Sequence, residues 1–295
     1  MVAAAFLFAT MGVCVKLASA YYGSAEIVMY RGLVGAALMA VLVRRSGGTL
    51  RTTVPGMHLW RSISGVSALV LWFYAIAGLP LPTAMTLNYM SSVWMALFLI
   101  GGAILAGGSR VDPRLVATVL AGFGGVALVL RPTLGGDQLW AGLLGLISGV
   151  LSAMAYLQVT ALGRVGEPET RVVFYFSIGG TLAGGTLALL SGGFSAHSLR
   201  GVLLLLAVGG LASSAQLLMT RAYAIGRPLV NASLQYLGIA FAFLYAVLLF
   251  DDPVHPLSVA GTLLIIVAGI AAVRLRQTNQ SHVRPQETLP PDLEP

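Results

Sequence analysis

Charge is scarce in this chain of 295 residues: 9% of positions are charged and 57% are hydrophobic, whereas soluble domains carry about a quarter charged residues. That shortage excludes an ordinary water-soluble core. Cysteine occurs once, at Cys14, so neither an intrachain disulfide nor a cysteine metal cluster can form. The four histidines, His58, His197, His255 and His282, all fall in predicted loops, segment ends or the tail, which leaves none for a haem ligand or a midplane proton relay. No GxxxxGK[ST] phosphate loop is present to power pumping. No HExxH, no serine paired with a membrane histidine and no pair of membrane aspartates supports intramembrane catalysis. The expectation is a protein that is not an enzyme and holds no metal or cofactor.

What the chain has is apolar length. A hydrocarbon core of roughly 30 Å takes about 20 apolar residues in a helix. Ten such runs can be placed, at about 2–20, 25–43, 58–78, 83–106, 113–131, 138–162, 171–191, 200–222, 230–250 and 256–274. Short turn-like punctuation separates them, as in Tyr22-Gly23-Ser24, Leu79-Pro80-Leu81-Pro82 and Asp251-Asp252-Pro253. After Arg276 the sequence is polar and proline-rich, and 277–295 reads as a disordered tail.

The formal net charge of +7 would suggest nucleic acid in a soluble protein. Here it reports orientation. With a cytoplasmic N-terminus, most of the sixteen arginines fall at the inner ends of the spans, and only Arg131 and Arg200 fall outside. This bias predicts cytoplasmic N- and C-termini, with the bilayer as partner and no nucleic acid.

The chain also repeats itself. Residues 74–90, with Tyr74-Ala75-Ile76 and Asn88-Tyr89-Met90, resemble 223–237, with Tyr223-Ala224-Ile225 and Gln235-Tyr236-Leu237. Val111-Asp112-Pro113 likewise matches Val254-His255-Pro256. A unit of five helices thus occurs twice, over 1–131 and 138–274, and an odd number of crossings inverts the second copy. The expected fold is an all-α membrane protein of ten transmembrane helices in two inverted five-helix repeats, a symmetry many secondary transporters use.

These residues carry a family resemblance. Glu26-Ile27-Val28-Met29-Tyr30-Arg31-Gly32, Trp60-Arg61 leading to Phe73-Tyr74-Ala75-Ile76, Leu79-Pro80-Leu81-Pro82-Thr83-Ala84 and Gln216-Leu217-Leu218-Met219-Thr220-Arg221-Ala222-Tyr223 resemble, in that order, the EamA-type branch of the drug/metabolite transporter superfamily. Two departures stand out. The family often has proline near Ser91-Ser92, and an acidic Gly-Glu ending at the fourth and ninth helices, where this chain has Ala106-Gly107-Gly108 and Phe250-Asp251-Asp252. The resemblance implies a secondary transporter of the bacterial inner membrane that moves a small polar metabolite by alternating access. Relatives of this type mostly export amino acids and their derivatives. Some release opine-type metallophores, and others import riboflavin or S-adenosylmethionine. The third class weighed, a receptor or scaffold, has no positive feature in the sequence, and oligomeric state is not indicated.

Candidate site residues follow from the cost of polarity at membrane depth. Of ten carboxylates only Glu26 approaches a span interior. It reads either as a proton-coupling residue or as a carboxylate stabilising the start of the second helix. Lys16 and Arg31 are cations inside spans. Lining a cavity, they would favour a substrate with carboxylates; otherwise they snorkel to the interface. Asn88-Tyr89 and Gln235-Tyr236 place an amide beside a phenol at equivalent points of the two repeats, suited either to holding a polar solute or to joining helices. Tyr74, Trp94, Gln158 and Gln216 complete the candidate substrate-binding set, with Trp72, Tyr156 and Tyr223 as further cavity candidates.

Overall fold

The computed structural model describes residues 1–105, 114, 117, 120–122, 124–125, 128, 136–226, 231, 234–250 and 255–283. The described residues are helical apart from short connections, and no strand occurs among them. In order the helices are α1 (Val2–Ala18), α2 (Ser24–Arg45), α3 (Pro55–Gly78), α4 (Leu81–Tyr89), α5 (Ser91–Leu105), α6 (Gly136–Arg164), α7 (Glu169–Leu190), α8 (Leu199–Ile225), α9 (Leu237–Tyr245, continued by a π turn Ala246–Phe250) and α10 (Pro256–Val283). Five of them, α2, α3, α6, α7 and α8, are each long and apolar enough to cross a membrane. At the place of the fifth predicted span, Arg114, Ala117, Leu120, Ala121, Gly122, Gly124, Gly125 and Leu128 are helical. The matched Val111-Asp112-Pro113 and the turns at Arg131-Pro132, Arg227-Pro228 and Asp251-Asp252 lie outside the described residues.

Helix boundaries follow local chemistry. Pro55 occupies the first turn of α3, where its missing N–H costs nothing. Ser198 caps α8 by accepting from the Gly201 N–H at 3.1 Å. Gly47 and Gly166, at φ +68 and +76, take the left-handed turns that end α2 and α6.

Three boundaries differ from expectation. Helix α3 begins three residues before the predicted 58, because the Pro55 turn carries it outward, and this draws Arg61 into the helix body. The fourth span is two helices rather than one: α4 stops at Tyr89, Met90 forms a turn, and α5 resumes at Ser91, with no proline at Ser91-Ser92. In the ninth span the helical Leu234 and Gln235 are likewise followed by a turn at Tyr236 before α9. Finally, α10 continues to Val283, so 277–283 is helical; the remainder of the predicted tail lies outside the described residues.

Packing sets the positions of these elements. Helix α2 lies along α7, α1 along α8, and α3 along α6, with α1–α9, α4–α6, α2–α8, α3–α7 and α4–α9 contacts closing the bundle. The α2–α7 approach is close because glycine removes side chains at both ends of it. A Cβ on Gly32 would stand 2.5 Å from the Ser177 carbonyl oxygen and 2.6 Å from the Thr181 nitrogen, and one on Gly184 would stand 2.6 Å from the Met29 nitrogen. Small residues are how helices approach in a medium that gives no hydrophobic drive to associate. The interior holds Met11, Ile27, Phe73, Ile76, Leu87 and Tyr223 fully buried. Outward-facing Leu33, Leu42, Leu59, Leu182, Leu189, Leu206 and Leu248 are exposed. A bundle apolar both inside and outside is suited to lipid as its surroundings.

Candidate functional site

Between the helices lies a cavity lined from α1, α2, α3, α4, α6, α7, α8 and Gln235 just before α9. Its chemistry is dominated by two cations. Arg31, from α2, and Arg61, from α3, are 4% and 2% exposed. Both guanidinium groups lie over the ring of Phe176 on α7, with Cζ at 5.2 Å for Arg31 and 4.2 Å for Arg61. Among the described residues neither makes an ion pair with a carboxylate, whereas Glu167 pairs with His58 and Arg171. Arg31 Nε and Arg61 Nε and Nη1 have no hydrogen-bond partner. Room for Arg61 is made by Gly65 one turn along the same helix, where a Cβ would collide with Nη1.

Opposite these cations stand neutral polar groups. Asn88 on α4 donates through Nδ2 to Ser148 Oγ at 3.0 Å and Ser152 Oγ at 3.1 Å, both on α6. Gln235 donates through Nε2 to the Tyr156 hydroxyl at 3.0 Å and accepts from the Tyr223 hydroxyl at 3.4 Å. The Tyr156 and Tyr223 rings stack at 5.4 Å and 15°. Gln216 Nε2 and Trp72 Nε1 line the cavity side without partners, as does the Tyr89 hydroxyl. Phe8, Ala68, Leu69, Ala155 and Met219 supply apolar wall. A few directed polar groups in an otherwise apolar concavity is the usual build of a small-molecule site.

Of the sequence candidates, Arg31, Asn88, Tyr89, Gln216 and Gln235 meet in this cavity, and five do not line it. Lys16 neither lines it nor points to an interface by snorkelling alone: Nζ donates to the Leu79 carbonyl at 3.3 Å and lies 5.0 Å over the Phe250 ring, at the end of α3 where carbonyls lack helical partners. Tyr74 is 41% exposed on the outer face of α3. Gln158 accepts from Ser64 at 3.3 Å, joining α6 to α3. Trp94 packs against the apolar core from α5, and Tyr236 is buried at the turn before α9.

Glu26 is 2% exposed but also stands outside the cavity. In the first turn of α2, its two carboxylate oxygens accept from the Ser195 N–H at 3.3 Å each, holding the α7–α8 connection. A carboxylate in a first helical turn is favoured by the helix dipole.

Arg61 is the residue that sequence reasoning missed. Counted from residue 58 it sat at an interface; counted from Pro55 it is in the second turn of α3. The available signal was Gly65, four residues on and on the same helix face.

At one end of the bundle, His58 Nε2 donates to Glu167 Oε1 at 2.9 Å and Arg171 Nη1 donates to the same oxygen at 3.2 Å. Arg171 and Tyr175 also bind the carbonyls of Thr49 and Leu50. Burial pushes the Glu167 carboxyl up, but hydrogen bonds from His58, Thr52 and Arg171 outweigh it and hold the group below the usual carboxylate range. Among the described residues no group of three His, Cys, Asp or Glu side chains could hold a metal ion.

Residues 1–131 match the EamA-like transporter family. Over 277 residues the chain is 32% identical to the pseudopaline exporter CntI of Pseudomonas aeruginosa, spanning 94% of this chain and 95% of that protein. It is 32% identical over 183 residues to a riboflavin transporter of Rhizobium johnstonii, spanning 62% of this chain and 58% of that one. A solved crystal structure superposes on 95% of this chain and 96% of its own with a TM-score of 0.66 at 19% identity, a likeness of fold.

Proposed function

This chain belongs to the EamA-like transporter family, and from that premise we propose that it exports a carboxylate-bearing amino-acid derivative, an opine-type metallophore of the pseudopaline kind, by alternating access. The chain is a membrane transporter of a small molecule. The observation that carries the choice of substrate is the pair Arg31 and Arg61, buried in one cavity without a described carboxylate partner. A buried guanidinium without a counter-ion is costly, and two of them around one cavity are best matched by a ligand that brings two or more carboxylates, each able to take a bidentate arginine. An opine, formed by joining an amino acid to a keto acid, carries at least two.

The architecture of the reading is ten spans in two inverted repeats, over 1–131 and 138–274, with both termini cytoplasmic in the inner membrane. Its support is the packing. Counting α4 and α5 as one span, exchange of each helix for the one five spans later turns α1–α8 into α6–α3, α1–α9 into α6–α4 and α2–α8 into α7–α3, and each product is itself a contact of the bundle. The α2–α7 and α4–α9 pairs map onto themselves. The turns at Met90 and Tyr236 fall within one residue of each other in the repeat, just after Asn88 and Gln235. Arg31 and Phe176 are also equivalent, each seven residues after the start of its helix, Ser24 and Glu169. Substrate held where these elements meet would be reached from either side as the repeats rock.

Flux in proteoliposomes tests the substrate. Pseudopaline is expected to cross and riboflavin, which is neutral and leaves both arginines uncompensated, is expected to cross far more slowly. Riboflavin flux equal to or above that of pseudopaline contradicts the reading.

A further inference from the structure

An exporter needs a source of energy, and the ionisable groups of the described cavity restrict which one. We infer that export is driven by the membrane potential acting on the net negative charge of the substrate, with no proton or sodium ion carried in return. This rests on the reading of the substrate as an anion.

Among the described residues the ionisable groups that line the cavity are Arg31, Arg61, Tyr89 and Tyr156, and arginine and tyrosine ordinarily exchange protons far above neutral pH. The sequence contains ten carboxylates, and by position nine of them, Asp112, Asp137, Glu167, Glu169, Asp251, Asp252, Glu287, Asp292 and Glu294, fall between spans or in the tail. The tenth, Glu26, stands outside the cavity, with both carboxylate oxygens accepting from the Ser195 N–H. Glu167, outside the cavity, is occupied by His58 and Arg171 at one end of the bundle. All four histidines are in connections, helix ends or the tail, with His197 held by Tyr30 and Ser195. Ionisable side chains at membrane depth are where a carrier holds a coupling proton or cation; among the described residues this cavity offers two arginines and no carboxylate or histidine.

The arginines belong to the protein and return to their starting positions in each cycle. The charge translocated per cycle is therefore the charge of the substrate. A cytoplasm at negative potential expels that charge, so an anionic metabolite is exported downhill in electrical terms, and the potential itself sets the direction of transport. The two arginines lower the barrier by giving the anion a compensating environment at the point where bare lipid would be most costly.

The test uses the full chain in proteoliposomes loaded with pseudopaline, with valinomycin and a tenfold potassium gradient fixing the potential. The expected result is an equilibrium distribution of pseudopaline that shifts by about tenfold for each net negative charge it carries, and reverses when the potassium gradient is reversed. A pH step of one unit at zero potential is expected to leave that distribution unchanged after correction for the charge of pseudopaline itself. A distribution that follows the pH step and ignores potassium overturns the inference in favour of proton coupling. Efflux that requires pseudopaline on the opposite side and ignores potassium overturns it in favour of exchange. An absence of pseudopaline flux under every condition overturns the transport reading on which the inference stands, which distinguishes that failure from the other two.

Discussion

Replacing Arg61 with glutamine separates a substrate-binding arginine from a structural one, because the two roles predict opposite effects on stability. In the folded protein Arg61 has one favourable contact of note, its guanidinium 4.2 Å over the Phe176 ring, worth about 2 kcal/mol when desolvated. Against it stand the desolvation of a charge 2% exposed, with Nε and Nη1 unpartnered, which costs several kcal/mol. Removing the charge should therefore leave the melting temperature in detergent unchanged or raise it. Transport should move the other way. Losing a charge-assisted bond to a substrate carboxylate costs about 1.5–3 kcal/mol, a rise of roughly 10- to 150-fold in apparent KM for pseudopaline. Arg61→Lys should recover only part of it, since an ammonium lacks the planar fork. The assay is initial flux against substrate concentration, beside a thermal melt of the same preparation. A KM within about twofold of wild type would refute the assignment. So would a loss of affinity accompanied by a matching fall in melting temperature.

Gly65→Val should behave as a near copy of Arg61→Gln in the flux assay, because the added side chain overlaps Nη1 and pushes the guanidinium off Phe176; an unaltered KM would show that Arg61 does not need this seat. Gly32→Ala places a Cβ 2.5 Å from the Ser177 carbonyl across the α2–α7 contact, and should destabilise by about 1–3 kcal/mol, read as a lower melting temperature; no change would mean that α2 and α7 are less closely packed. Glu167 is held below its usual carboxylate range by His58, Thr52 and Arg171 against the opposing effect of burial. Its contribution to stability is thus complete above the unfolded carboxylate range and is lost as pH falls through the lower folded value. Glu167→Gln should melt lower at neutral pH and show a shallower decline toward acid than wild type; parallel melting curves against pH would rule this out.

Helices α2, α3, α6, α7 and α8 were legible because lipid imposes a length rule on a span, and their apolar runs, punctuated by glycine, proline and short polar turns, meet it. Less legible was anything that depends on a boundary of two or three residues. Pro55 moved the start of α3 and so moved Arg61 from an interface into the cavity. The turn at Met90 has no proline or glycine to announce it; its counterpart at Tyr236 was hidden for the same reason. Residue type alone also could not say which way a side chain faces. Asn88 and Gln235 both reach the cavity, yet Tyr236, next to one of them, does not line it. Lys16 and Arg31 carry the same charge on consecutive helices, but one donates to the Leu79 carbonyl and the other faces the cavity beside Phe176. Glu26 was readable in two ways, as a coupling group or a helix-start carboxylate; it stands in the first turn of α2, outside the cavity, and accepts from the Ser195 N–H.

Direct binding tests the central claim without the complications of flux. Trp72 lies in the cavity wall, so its fluorescence, isolated by replacing Trp60, Trp94 and Trp140 with phenylalanine, should report occupancy in detergent micelles. The account predicts saturable quenching by pseudopaline that is abolished in the Arg31→Gln/Arg61→Gln double variant. Equal quenching of the two proteins by pseudopaline, or saturable quenching by riboflavin alone, would contradict a cavity built for carboxylates.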